Sequence, residues 1–315
     1  MLNPDTTAFV FPGQGSQHIG MGEDLALNSP EAKKIFTEAN KILDFDLSRL
    51  CWEGSKDELD DTYNTQPALY TCSMAALIAL REITGEFVPA FAAGHSLGEI
   101  SALAAMGAIS FEHGLNLVRE RGRLMKIAGE NKPGGMAAIL KMDSTKLIQI
   151  CKQSSNETGY HVQVANDNCP GQLVISGDNL ALDRAIDLVI NNESCKAIRL
   201  PISIAAHSPL MGYISDDYKK AVYSSIFYRP NTAVIGNVKV TKIDTPDKIK
   251  KELCAQLTAP VRWRETIESL LAKGVTDFVE IGSGKVLTGL LRRIDKTTCG
   301  HVIDNTNAIV KLSST

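Results

Sequence analysis

The chain has no cysteines two residues apart, no Cys/His cluster with metal-like spacing, and no apolar run long enough to cross a bilayer. Its seven cysteines, at 51, 72, 151, 169, 195, 254 and 299, are dispersed and odd in number. That excludes a disulfide framework and points to a reducing compartment. The opening residues are polar and lead directly into an apolar strand, with no signal or transit peptide, so the expected location is the cytoplasm. An excess of charge is missing as well. The 33 basic and 36 acidic side chains leave a formal net charge of −3, which argues against nucleic acid or a membrane surface as a partner. Neither a repeat nor a low-complexity segment occurs.

What is present is an apolar fraction of 44% spread over 315 residues, enough for a large core. The length fits two ordinary domains or one elaborated α/β domain. An apolar strand at 8–11 breaks at Pro12-Gly13-Gln14-Gly15. Helical patterns cover 30–43 and 67–83, the second opening at Gln66-Pro67 with proline in a favoured first-turn position. A short strand at 91–93 meets Gly94-His95-Ser96-Leu97-Gly98, an Ala-rich helix runs to about Gly107, and another helix spans 111–128.

From about 134 the pattern changes. Strands at 136–140, 162–165, 173–176 and 197–200, with helices at 143–154 and 179–192, give the order β-α-β-β-α-β of a ferredoxin-like module. Core strands then resume at 233–236 and 278–281, with helices at 209–226, 247–257 and 264–273. The expected fold is therefore a parallel α/β body with a small α+β subdomain. Residues 133–203 form the insert, and 1–132 with 204–315 form the body.

Gly94-x-Ser96-x-Gly98 between an apolar strand and a helix is a nucleophile-elbow pattern. A serine on a tight strand-to-helix turn needs glycines two residues either side, where side chains would collide. The helix that follows aims its first N–H groups at a developing oxyanion. The backbone N–H of Leu97 is the natural first donor. Gln14, just after the first strand, stands where a second is needed, and Gly13 and Gly15 permit its turn. The Gly13–Ser16 stretch is no dinucleotide fingerprint, because His18 occupies the position of the third glycine. His95, adjacent to the serine on a tight turn, projects elsewhere and reads as structural.

Two further residues stand out. Arg121 shares a helix face with Leu117, Val118, Leu124, Met125 and Ala128, whereas Arg119 and Arg123 fall on the opposite, solvated face. A guanidinium on an apolar stripe needs an anion, either a structural carboxylate or a ligand. His207 precedes Ser208-Pro209, an N-cap and first helical residue. The positive potential there disfavours imidazolium, which suits a general base near neutral pH. A lone histidine is also compatible with a hydrogen-bonded structural role.

Taken together, several segments resemble the malonyl-CoA:acyl-carrier-protein transacylases, including the acyltransferase domains of polyketide synthases. They are Phe11-Pro-Gly-Gln-Gly-Ser-Gln17, Gly94-His-Ser-Leu-Gly-Glu99, Arg121-Gly122, Asn166-x-Asn168 with Pro170-Gly171-Gln172, His207, the Gln256–Trp263 run Gln-Leu-Thr-Ala-Pro-Val-Arg-Trp, and Ile281-Gly-Ser-Gly-Lys-Val-Leu287. They follow the family order across nearly the whole chain.

The resemblance implies an α/β-hydrolase-like body with a ferredoxin-like subdomain. It implies a ping-pong reaction in which malonyl passes from coenzyme A to Ser96, then to the phosphopantetheine thiol of an acyl carrier protein. No cofactor is implied. His207 becomes the base, oriented by main-chain carbonyls near Asn237 and Gln256; Gln256 counts as a site residue on this ground alone. Arg121 becomes the fork for the malonyl carboxylate, which lysine could not reproduce. One departure stands out. Ala205-Ala206 precede His207 where bacterial fatty-acid members more often carry Pro-Ser, which leaves acyl selectivity and pathway open. Lys285, Arg292 and Arg293 are candidates for meeting an acidic carrier protein, a pattern that fits a solvated helix face equally well. A serine acyl hydrolase on the same elbow is the competing function. The chain is expected to act as a monomer.

Overall fold

The computed structural model describes residues 2–191 and 195–314; residues 1, 192–194 and 315, including the last residue of the helix expected at 179–192, lie outside it. The strands are β1 (Thr7–Phe11), β2 (Phe91–Gly94), β3 (Gly134–Leu140), β4 (Val162–Cys169), β5 (Gln172–Asp178), β6 (Lys196–Arg199), β7 (Ala233–Ile235), β8 (Asp277–Ile281) and β9 (Cys299–Ile303). They form two sheets.

The first sheet is parallel throughout, in the order β7-β2-β1-β8-β9. All five residues of β1 are buried, as expected where helices cover both faces of a parallel sheet. Phe9 and Phe11 face the larger core with the helix Thr62–Thr84, while Ala8 and Val10 face a second core with Trp263 and Phe278. The second sheet is antiparallel, in the order β4-β5-β3-β6. Helices Ser144–Thr158 and Asn179–Ile190 cover it around a separate core. That strand order is the ferredoxin-like one expected from the β-α-β-β-α-β pattern.

The two sheets are stitched together beside the elbow. Val261 donates its N–H to Ala165 O and accepts from Asp167 N, and Arg264 grips the Asp167 carboxylate at 2.8 Å. The Gln256–Trp263 run thus pairs with β4 of the antiparallel sheet through Val261.

Three sequence expectations need correction. The long helix begins at Thr62, capped by the Asp61 carboxylate, so Pro67 lies inside it rather than at its start. Pro67 has no N–H for the carbonyl of Tyr63, four residues back. Arg119 supplies the missing donor, its Nη1 bonding Tyr63 O at 2.7 Å. Arg119 is therefore half-buried against Phe45 and Tyr63, not solvated. Finally, residues 209–214 form a 3-10 turn before the α-helix Ser215–Ser224, rather than one continuous helix.

Candidate active site

Ser96 sits at φ +52°, a strained left-handed conformation for a non-glycine residue. The flanking glycines are required by contact. A Cβ on Gly94 would lie 1.8 Å from Gly98 O, and one on Gly98 would lie 2.1 Å from Phe11 O. The elbow is wedged against the end of β1, so the spacing of glycines reflects a steric limit.

Ser96 Oγ lies 2.8 Å from His207 Nε2, and His207 Nδ1 lies 2.8 Å from the main-chain carbonyl of Gln256. The second contact fixes the tautomer: Nδ1 carries the proton and Nε2 is free to accept one. His207 itself has φ +58° and is buried. Its backbone carbonyl accepts 2.7 Å from Nε2 of Gln163 on β4. Burial, reinforced by the Arg121 guanidinium, pushes the imidazole down to about 3. The direction agrees with the sequence expectation, but the cause differs. Only a short 3-10 turn follows His207, and desolvation dominates.

The carbonyl of Asn237 does not reach the imidazole; it accepts from Arg262 N. Its side chain instead clamps the elbow. Asn237 Oδ1 accepts from Ser96 N and Nδ2 donates to Gly94 O, both at 2.8 Å. Ser96 N–H is thereby occupied and unavailable to a ligand. The backbone N–H groups of Leu97 and Gln14 have no acceptor among the described residues, and both residues line the cavity around Ser96.

The Gln14 turn is held from several directions. Gln14 Nε2 donates to Thr62 Oγ1, Gln17 Nε2 to Asp60, and Ser283 Oγ to Ser16 O at 2.7 Å. The last of these gives the Ile281-Gly-Ser-Gly segment its place: it braces the loop that presents Gln14. Gly282, at φ +133°, also lies where a Cβ would meet Ser73 Oγ at 2.4 Å.

Arg121 is 2% exposed. Nη1 donates to Gln66 Oε1 at 2.9 Å, and Nη2 donates to Ser96 Oγ at 3.1 Å and Gln256 Oε1 at 3.0 Å. Nε has no partner, and among the described residues Arg121 forms no ion pair. The three oxygens it bonds are uncharged, and the Glu99 carboxyl acts on its charge without forming an ion pair among the described residues. A buried cation without a counter-ion is a site for an anion.

Gln256 contributes twice, since its carbonyl holds His207 while its side chain bridges Arg121 and Ser96 O. Gln66 and Gln163 were not expected. A polar residue inside the apolar run 66–77 was the available signal for Gln66; Gln163 gave none.

His95 turns away from the serine to Asn168 Oδ1 at 2.9 Å and sits edge-on to Trp263, in agreement with a structural role. The cavity of about 160 Å³ is walled by Met125, Ile204 and Ala206 from the body and by Met136, Asn166 and Val174 from the second sheet. Lys285 and Arg292 are exposed, whereas Arg293 is bonded to Gln172 Oε1 and Pro170 O on the β4–β5 turn.

Fold and geometry together are those of a serine-based acyl-transfer enzyme, and residues 8–300 match the acyl transferase domain family. The chain is 45% identical over 289 residues to the malonyl CoA-acyl carrier protein transacylase of Bacillus subtilis, covering 92% of this chain and 90% of that protein. It superimposes on the malonyl CoA-acyl carrier protein transacylase of Coxiella burnetii with a TM-score of 0.94 at 38% identity, covering 99% and 98% of the two chains. A malonyl-transacylase solved in complex with a type II polyketide synthase acyl-carrier protein gives a TM-score of 0.93 at 37% identity, covering 98% and 99%. The chain belongs to the malonyl CoA-acyl carrier protein transacylase family.

Proposed function

We propose that this protein moves a malonyl group from malonyl-CoA to the phosphopantetheine thiol of an acyl carrier protein through a malonyl ester on Ser96. The observation that carries this reading is the buried Arg121 guanidinium, which forms no ion pair among the described residues and lies 3.1 Å from Ser96 Oγ.

His207 Nε2 takes the Ser96 proton as Oγ attacks the thioester carbonyl. The N–H groups of Leu97 and Gln14 receive the oxyanion, and the intermediate collapses as His207 returns the proton to the departing coenzyme A thiolate. The carrier thiol then repeats the sequence in reverse. In the malonyl ester one methylene separates the free carboxylate from the acyl carbonyl, close enough for Arg121 to hold both ends of the reaction in register. An acetyl group would leave the charge unpaired. Lys, with its donors on one nitrogen, could not span Gln66 and Gln256 from separate nitrogens and still offer a carboxylate a planar fork.

The same reading assigns 133–203 as an inserted subdomain on a body of 1–132 and 204–315. It takes the chain to act as a monomer. No cofactor enters the reaction. Lys285 and Arg292 are the proposed carrier contacts. No helix of the described residues is long and apolar enough to cross a membrane, and the seven free cysteines suit work in the cytoplasm.

The test is intact-mass spectrometry after incubation with malonyl-, methylmalonyl- and acetyl-CoA, on wild type and Ser96→Ala, followed by addition of holo carrier protein. A malonyl adduct on wild type alone, discharged onto carrier protein, is expected. A malonyl adduct on Ser96→Ala, or free malonate in place of malonylated carrier protein, would overturn the proposal; the second outcome is that of a serine hydrolase.

A further inference from the structure

The elbow is held by a closed circuit of hydrogen bonds that includes a carboxyl group the chemistry above does not use. Ser96 N–H donates to Asn237 Oδ1 at 2.8 Å. Asn237 N–H donates to Glu99 Oε2 at 2.8 Å. Glu99 N–H returns to Ser96 O at 3.1 Å. Glu99 stands in the first turn of the helix that leaves the elbow, Gly98–Ala105, and both Glu99 and Asn237 are fully buried. The other Glu99 oxygen has no partner.

The circuit has two chemical consequences. It withdraws the Ser96 N–H from the oxyanion side, so Leu97 N–H and Gln14 N–H alone face the acyl oxygen. It also ties the strained φ of Ser96 to a residue 141 positions away, on the loop after β7. A serine in this conformation persists only where its surroundings over-determine it. Burial and the neighbouring Glu252 carboxyl raise the Glu99 pKa, which favours the neutral acid. In either protonation state Glu99 Oε2 is placed to accept from Asn237 N–H.

We propose that Glu99 is a positioning residue for acyl transfer: by accepting the backbone N–H of Asn237 it fixes the side chain that locks Ser96 in its reactive conformation. The inference rests on Ser96 being the acylated residue. Glu99 does not bond His207, but its carboxyl acts on the Arg121 charge, so a probe without a carboxylate is needed to separate alignment from recognition.

The experiment compares Glu99→Gln and Glu99→Ala with wild type. The first keeps an oxygen for Asn237 N–H; the second removes it. Two rates are read: malonyl loading from malonyl-CoA, and sulfonylation of Ser96 by phenylmethylsulfonyl fluoride, a probe with no carboxylate. A small misalignment at a reacting centre costs roughly a hundredfold in rate. Glu99→Ala is therefore expected to slow both reactions by about that factor at an unchanged KM for malonyl-CoA, with Glu99→Gln restoring both.

Should Glu99→Ala fail to fold, Glu99→Asp, one methylene too short, carries the same expectation. Loading and sulfonylation at wild-type rate in the Ala or Asp variant would refute the inference. So would equal defects in the Gln and Ala variants, because the accepted hydrogen bond would then not be what matters. Wild-type protein that never acylates on Ser96 is a different failure, and it would fall on the proposed function instead.

Discussion

Arg121 and Arg119 sit two residues apart on one helix, and both donate to uncharged oxygens, yet their situations are opposite. Arg119 bonds a carbonyl that Pro67 has left without a partner, and it stacks on two aromatic rings at the surface. Its charge remains in reach of water. Arg121 is sealed in, with a free Nε–H and no carboxylate. The first guanidinium completes a helix, while the second is an unfinished interaction. What separates the two is an unmet demand and not the number of bonds, since Arg121 makes three to the two of Arg119 and still has a free Nε–H.

The comparison breaks most sharply in transfer kinetics. Hydrogen bonds to a charged group contribute about 1.5–3 kcal/mol each. Arg121→Ala should therefore lower kcat/KM for malonyl-CoA by at least about a hundredfold, and the preference for malonyl over acetyl should collapse, as read in parallel loading assays. Arg119→Ala should leave both unchanged. Equal losses in the two variants would remove the distinction.

A second difference lies in pH. The His207 imidazole is held at about 3, first by burial and then by Arg121. Removing that cation favours imidazolium, so the acid limb of Ser96 sulfonylation should move upward in Arg121→Ala and stay put in Arg119→Ala. In the intact protein this limb should lie well below pH 6.5. The sign for stability follows from the same numbers. Between about 3 and 6.5 the unfolded chain binds a proton that the folded chain refuses, so stability rises with pH across that window. Equilibrium unfolding at stepped pH measures it.

The smallest effect is the one on the fold. Arg119→Ala should destabilise by about 1–3 kcal/mol, the scale for an orphaned carbonyl, measured by urea unfolding. Pro67→Ala in that background returns an N–H to Tyr63 O and should recover part of the loss. An additive double-mutant cycle would show that Arg119 does not serve that carbonyl.

Local chemistry made much of this legible. The elbow announced itself because its glycines are forced by contacts within a few residues and with the adjoining strand. The ferredoxin-like sheet was visible because alternating strands and helices carry it. Arg121 stood out by lying on an apolar stripe. What stayed hidden depends on partners far along the chain. Pro67 reads as a helix start until Arg119, 52 positions on, is seen to cap Tyr63. Asn237 was assigned a carbonyl role from resemblance, while its side chain does the holding. Gln256 counts as a site residue by resemblance alone, and Gln163 carries no signal in the sequence. No periodicity encodes a side chain that reaches another segment's backbone.

Gln163 belongs to the antiparallel sheet, yet it grips the carbonyls of His207 and Thr258. An exchange of this module between relatives would therefore transplant part of the base's support along with the cavity wall. Chimeras meant to alter acyl choice should keep Gln163 with its host body, or accept a slower enzyme whose new preference goes unnoticed.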